Sequence, residues 1–175
     1  MTDLRYPIGS FTFAPGATPL QRRASIREIA DAPHALRDAV AGLDDAQLDT
    51  PYRPGGWNVR QVVHHVPDSH LNAYIRFKLA LTEDTPTIRP YDEAAWARVA
   101  DTARTPIDVS LALLDALHQR WRILLDTMGD ADFARELVHP EHGTITLDWM
   151  LQLYAWHGRH HVAHVTALRA REGWE

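Results

Sequence analysis

Cysteine is absent from the 175 residues. That excludes disulfides, thiolate metal ligands and a cysteine nucleophile, so any metal must be held by His, Asp or Glu. Lysine occurs once, at Lys78, while arginine occurs throughout; this bias implies no chemistry. Positive charge is not in surplus: the net charge is −5, and no basic stripe suggests nucleic acid as a partner. No apolar run approaches membrane-spanning length, and the N-terminus lacks the apolar core of a signal peptide. These absences predict a soluble, cytoplasmic protein that neither enters a membrane nor binds nucleic acid. The length suits a single domain over 1–175, large enough for a real core. No repeat or low-complexity segment divides it.

Proline and glycine crowd the first 20 residues (Pro7, Gly9, Pro15, Gly16, Pro19). They predict an irregular arm, with Tyr6, Phe11 and Phe13 pinning it to the body or serving a dimer contact. A first helix is expected from about Ser25 to Leu43, where Ile26, Ile29, Leu36, Val40 and Leu43 repeat at helical spacing. Pro33 should kink it or split it, with Asp31 capping the second piece. A second helix follows the turn residues Pro54-Gly55-Gly56 and runs from about Asn58 to Leu81. Its apolar side is Val59, Val62, Val63, Val66, Ala73, Phe77 and Ala80. Beside it lies a polar line that includes Asn58, Gln61, His65, Asp68, Ser69, Asn72 and Arg76, the pattern of a wet cavity wall or of plain exposure. Pro67 should bend this helix near His65.

Tyr91 to Asp101 reads as one short helix carrying Trp96. A third long helix is expected over about 106–128, with Pro106 at its start and Gly129 ending it. His118 falls inside its apolar stripe and reads as a core histidine. Residues 130–143 read as a loop in which His139 and His142 are exposed. A fourth long helix runs from about Thr146, a good N-cap, to Arg171. Four long amphipathic segments with almost no strand alternation predict an all-α fold, a four-helix bundle whose long connections permit crossovers.

Four of the eleven histidines lie between residues 157 and 164. His157 and His161 are i and i+4, as are His160 and His164, and either pair could share one metal ion. At ideal steps of about 100° per residue, Met150, Tyr154, Val165 and Leu168 cluster around the direction of His161. His157 falls within that apolar stripe, His164 on its shoulder and His160 outside it. The pair His157 and His161 should therefore point into the bundle, where each ring nitrogen needs a partner. A third ligand should come from the second helix. Periodicity prefers His65 to His64 but leaves His65 and His70 both open.

The segment from Tyr52-Arg53-Pro54-Gly55-Gly56-Trp57 through Val63-His64-His65 to His70 resembles the central motif of the DinB/YfiT-like family. Gln152-Leu153-Tyr154-Ala155-Trp156-His157-Gly158-Arg159-His160-His161-Val162-Ala163-His164 is similar to that family's C-terminal motif. Asn72 to Leu81 and Tyr6-Pro7-Ile8-Gly9 extend the likeness over nearly the whole chain. The resemblance implies a four-helix bundle with one nickel or zinc ion per subunit on three histidines, which by motif are His65, His157 and His161. Pro67 departs from it, since a small helix former is expected there. Together with the aromatic arm, the resemblance also implies a homodimer.

Three histidine ligands leave a position open for water or substrate, and a bound water would become a nucleophile. The implied function is therefore metal-dependent hydrolysis of a small molecule. No glutamate of the HExxH kind lies between His157 and His161, so a base must come from elsewhere. Asp68, one turn from His65, is the candidate by position; it would equally serve to orient the ligand by a hydrogen bond. The alternative is a metal-dependent S-transferase using a low-molecular-weight thiol such as bacillithiol. Arg159, Arg76 or Arg120 would then meet an acidic cofactor group, or simply stand on the surface. A third reading is a non-catalytic metal-binding bundle.

Overall fold

The computed structural model describes residues 3–174. In chain order the elements are α1 (Pro19–Val40), α2 (Asp45–Leu48), α3 (Val59–Thr82), α4 (Glu93–Trp96), α5 (Ala100–Arg104), α6 (Ile107–Asp126), α7 (Asp130–Phe133), β1 (Glu136–His139), β2 (Gly143–Thr146) and α8 (Leu147–Glu172). The four long helices α1, α3, α6 and α8 form the bundle. α1 packs on α8 and α6, and α3 packs on α6 and α8. The chain therefore crosses a diagonal of the bundle between α1 and α3, and again between α6 and α8. No helix among the described residues is long and apolar enough to cross a membrane.

Local chemistry starts the helices. Asn58 accepts from the Gln61 N–H at 2.8 Å while the Gln61 side chain accepts from the Asn58 N–H at 3.0 Å, a reciprocal cap for α3. Thr146 caps α8 through the Trp149 N–H. α1 begins earlier than the apolar spacing predicts. Thr18 and Gln21 form a capping box and Pro19 occupies the first turn, where its missing N–H costs nothing. Pro33 does not split the helix, and Asp31 lies inside it rather than capping a second piece. α3 likewise runs on through Pro67.

Two further expectations are corrected. The segment 93–104 holds two short helices rather than one. The segment 130–143 is not a plain loop: Gly129 caps the short helix α7, and β1 pairs with β2 in an antiparallel hairpin, Leu137 opposite Ile145. Leu137 and His139 point inward and are buried, while Glu136 is exposed. Strands of four residues offer too few alternations to stand out in sequence. The hairpin is tied to the segment after α3, since Ile88 N–H donates to the Val138 carbonyl and Val138 N–H to that of Pro86.

The core consists of two apolar clusters. One surrounds Phe77, Trp121, Leu137 and Met150; the other surrounds Val59, Val62, Leu114 and Leu168. Between them each long helix changes character. α3 contributes His65 and His70, α6 contributes His118, α8 contributes His157, His161 and His164, and α1 contributes the turn containing Pro33. A polar layer thus crosses the bundle between two apolar ends.

The N-terminal arm lies along α8. Gln152 exchanges two hydrogen bonds with the Ala14 backbone, and Trp156 Nε1 donates to the Gly9 carbonyl. Phe11 packs edge-on against Trp149. The arm therefore closes one side of the histidine layer.

Candidate metal centre

His65, His157 and His161 each offer a ring nitrogen, and these three atoms lie within 4.8 Å of one another. Nε2 of His157 and Nε2 of His161 are 3.2 Å apart. Two nitrogens bound tetrahedrally to one zinc at its usual bond length are separated by ~3.3 Å. Trp57, from the Pro-Gly-Gly-Trp turn, packs on His65 with ring centroids 4.6 Å apart.

The protonation of these two facing nitrogens follows from their outer hydrogen bonds. Inside a helix, Pro33 has no N–H to give to the carbonyl of Ile29, four residues before it. That carbonyl instead accepts from Nδ1 of His118 at 2.6 Å. His118 therefore carries its proton on Nδ1, and its Nε2 is an acceptor. Nδ1 of His70 lies 2.8 Å from that Nε2 and must donate to it. Nε2 of His70 is then the acceptor for Nδ1 of His157 at 3.0 Å. The proton of His157 sits on Nδ1, and its Nε2 presents a lone pair to His161.

A shorter chain acts on His161. Nε2 of His164 donates to the Arg5 carbonyl of the arm at 3.1 Å. Its Nδ1 is left to accept from Nδ1 of His161 at 3.4 Å, a long contact. His161 Nε2 is thus also a lone pair. Burial, followed by the neighbouring imidazoles, holds both His157 and His161 well below the ordinary histidine range, so no proton bridges them at neutral pH. Two lone pairs facing each other at 3.2 Å repel unless a cation lies between them. The donor set fits a divalent metal, and each outer chain ends on a backbone carbonyl that orients the ring before it.

The other sequence candidates sit elsewhere. His160 is buried rather than exposed, because the arm and Trp156 cover it; its ring stacks on Trp156 at 4.3 Å. His164 stacks on Tyr52 at 3.9 Å. His64, which periodicity turns away from the core, is buried against α6 and meets Ser110 Oγ at 2.7 Å. His70 and His118 belong to the chain behind His157. Asp68 is half-buried and is not among the residues lining the cavity at the histidines. Burial, with Asp101 second, raises its carboxyl to about 6.

That cavity has a volume of about 590 Å³, within the range of small-molecule sites. Its wall includes all three histidines of the group, Ser69, Arg76, Tyr91, Glu93 and Tyr154, and residues His139, Glu141 and His142 of the hairpin. His139 and His142, read from sequence as exposed loop residues, thus help to close it; His139 is buried and His142 exposed. His139, Glu141 and His142 also form a second group of close donor atoms.

The DinB superfamily pattern matches residues 28–165. The chain belongs to that superfamily. It is 56% identical over 174 residues to a "putative metal-dependent hydrolase" of Bacillus cereus strain G9842, covering 99% of this chain and 100% of the relative. A protein of the same name from Bacillus mycoides strain KBAB4 is 55% identical over the same length and coverage. Among solved structures, YfiT from Bacillus subtilis superposes with a TM-score of 0.96 at 50% identity, covering 98% of this chain and 99% of that one. It is described as a "probable metal-dependent hydrolase with an unusual four-helix bundle topology". In this chain the two diagonal crossings set the order of the four helices around the bundle.

Acid should weaken the metal-free protein. Burial is the first cause that pushes His65, His118 and His160 from 6.5 to about 4. The unfolded chain therefore takes up protons below pH 6.5 that the fold refuses until about pH 4, and stability drops across that window. Thermal melts in chelator at pH 7.5, 6 and 5 should show a progressively lower Tm. A Tm that does not change over this range would contradict the burial of neutral imidazoles.

Proposed function

We propose that His65, His157 and His161 bind one divalent ion, zinc or nickel, and that the protein is a metal-dependent hydrolase of a small molecule held in the adjoining cavity. One observation carries this reading: two Nε2 atoms 3.2 Å apart, whose outer hydrogen bonds assign both as lone pairs, open to a cavity large enough for a substrate. When bound, such an ion supplies Lewis acidity and brings the pKa of a water molecule towards neutrality. The relatives' names point to the same chemistry.

The residues of the chain supply the rest. His70 and His164 hold the two α8 imidazoles in the ligating tautomer. Trp57 shields His65 from solvent. A proton acceptor is needed, and two positions qualify on different grounds. Asp68 is one turn from His65 and titrates at about 6. Glu93 stands in the cavity wall, its carboxyl raised by burial and then by Glu141 and Asp92. Asp68→Asn and Glu93→Gln separate them, because only loss of the true base removes the acid limb of the kcat profile.

Purified protein should contain about one zinc or nickel per chain by elemental analysis. Hydrolysis of an ester, amide or phosphoester panel should disappear on chelation and return with either metal. Parallel assays with low-molecular-weight thiols and an electrophile form the counter-test. Thiol transfer without hydrolysis, or hydrolysis indifferent to chelation, would overturn the proposal.

A further inference from the structure

The cavity wall contains a buried cation with no ion-pair partner among the described residues. Arg76 is 8% exposed, and its Nη2 donates to the Arg89 carbonyl at 3.3 Å. No carboxylate among the described residues lies within 4.0 Å of it, although Glu93 and Glu141 share the wall. Three other arginines differ. Arg159 pairs with Glu28 at 3.3 Å in a separate groove. Arg120 lies over the Tyr74 ring. Arg5, at the mouth of the cavity, pairs with Asp3 at 3.6 Å.

Burying a guanidinium is costly unless an anion compensates it. A guanidinium offers five N–H donors in a planar fork suited to carboxylate or phosphate oxygens. Beyond the Arg89 carbonyl and the neighbouring Tyr154 hydroxyl, those of Arg76 have no acceptor among the described residues. Ser69, Tyr91 and Tyr154 converge there as hydrogen-bonding groups, with Glu93 close enough to act on both tyrosines. Tyr154 links this end of the cavity to the histidines, its ring 5.5 Å from that of His157.

We propose that Arg76, with Ser69, Tyr91 and Tyr154, forms an oxyanion-binding subsite, and that the small molecule processed in this cavity carries a carboxylate or phosphate group. The second half of the statement rests on the metal-hydrolase reading; the subsite itself does not. Arg76 lies eleven positions after His65 on α3, ~16 Å between Cα atoms along the helix.

The test follows the Arg76 Nε–H resonance by nuclear magnetic resonance in metal-loaded and chelated protein. The probes are glutarate, inorganic phosphate and neutral glutaramide. At least one anion should give a saturable shift in both metal states while glutaramide gives none; the tighter anion identifies carboxylate or phosphate as the preferred group. Arg76→Gln, followed by calorimetry, should bind that anion at least tenfold more weakly, and Arg76→Lys should fall between. Equal responses to glutarate and glutaramide, no saturation by either anion, or undiminished binding in Arg76→Gln would each overturn the proposal. The wild-type comparison of anion with neutral probe decides the matter even if a variant fails to fold. Failure of the metal reading would show separately, as a loaded sample without stoichiometric metal.

Discussion

His157→Ala and His161→Ala proteins are expected to purify with almost no metal, while His160→Ala retains the wild-type amount. In each of the first two variants one of the facing Nε2 lone pairs is gone, and the remaining one has a single close partner in His65. Affinity should fall by more than ~100-fold, beyond the 10–100-fold typical of losing a group that only orients a ligand. His160 is the informative control. It is buried on the same helix, one residue from His161, but its ring stacks on Trp156 and stands outside the close group. His65→Ala should behave like the first two. Elemental analysis with a thermal melt on each variant separates loss of metal from loss of fold. Stoichiometric metal in folded His157→Ala or His161→Ala would remove the ligand assignment.

Pro33→Ala should have two effects of opposite sign. An alanine restores the N–H at position 33, so the metal-free helix gains back its internal bond and should melt at a higher temperature; an interior proline costs a helix ~3 kcal/mol. The same N–H competes with His118 for the Ile29 carbonyl. His118 then loses the bond that keeps its proton on Nδ1, and the preference relayed through His70 to His157 weakens. Metal affinity should drop by roughly 10-fold or more, as when a histidine ligand loses its orienting partner. His118→Ala should weaken metal binding at least as much, without the gain in helix stability. Competition with a chromophoric chelator measures the affinity. Nitrogen-15 spectra of the metal-free protein report the His157 tautomer directly, which should be Nδ1–H in the wild type. An Nε2–H tautomer there, or unchanged affinity in Pro33→Ala, would end this account.

Much of the frame was legible from local pattern. The long helices, the Thr146 cap, and the inward direction of His157 and His161 follow from short-range pattern, because neighbours three and four apart on a helix share a face whatever surrounds them. The hairpin was not legible, since its short strands are held by the segment after α3 and by burial of Leu137. The split at Pro33, one of the two readings there, failed for a similar reason. Alone, the proline is a break; in the bundle, its missing N–H frees a carbonyl that α6 meets with His118. His70 and His118 were each visible as polar residues in apolar stripes. Only their contact across three helices distinguishes them from ordinary core histidines.

The amino-acid sequence by itself determined that any metal must rest on nitrogen or oxygen donors, that four helices would carry the fold, and that two histidines one turn apart would face inward. These are matters of composition and helical period, which no partner can alter. The family motif had pointed to His65; tertiary structure brings it beside that pair and stands His70 behind His157. It also decided where each imidazole keeps its proton, and that Arg76 stands in a cavity wall with no carboxylate of the described residues within 4.0 Å of it. Tautomer and charge compensation depend on acceptors supplied by other helices and by the arm. They come into being only when distant segments pack together.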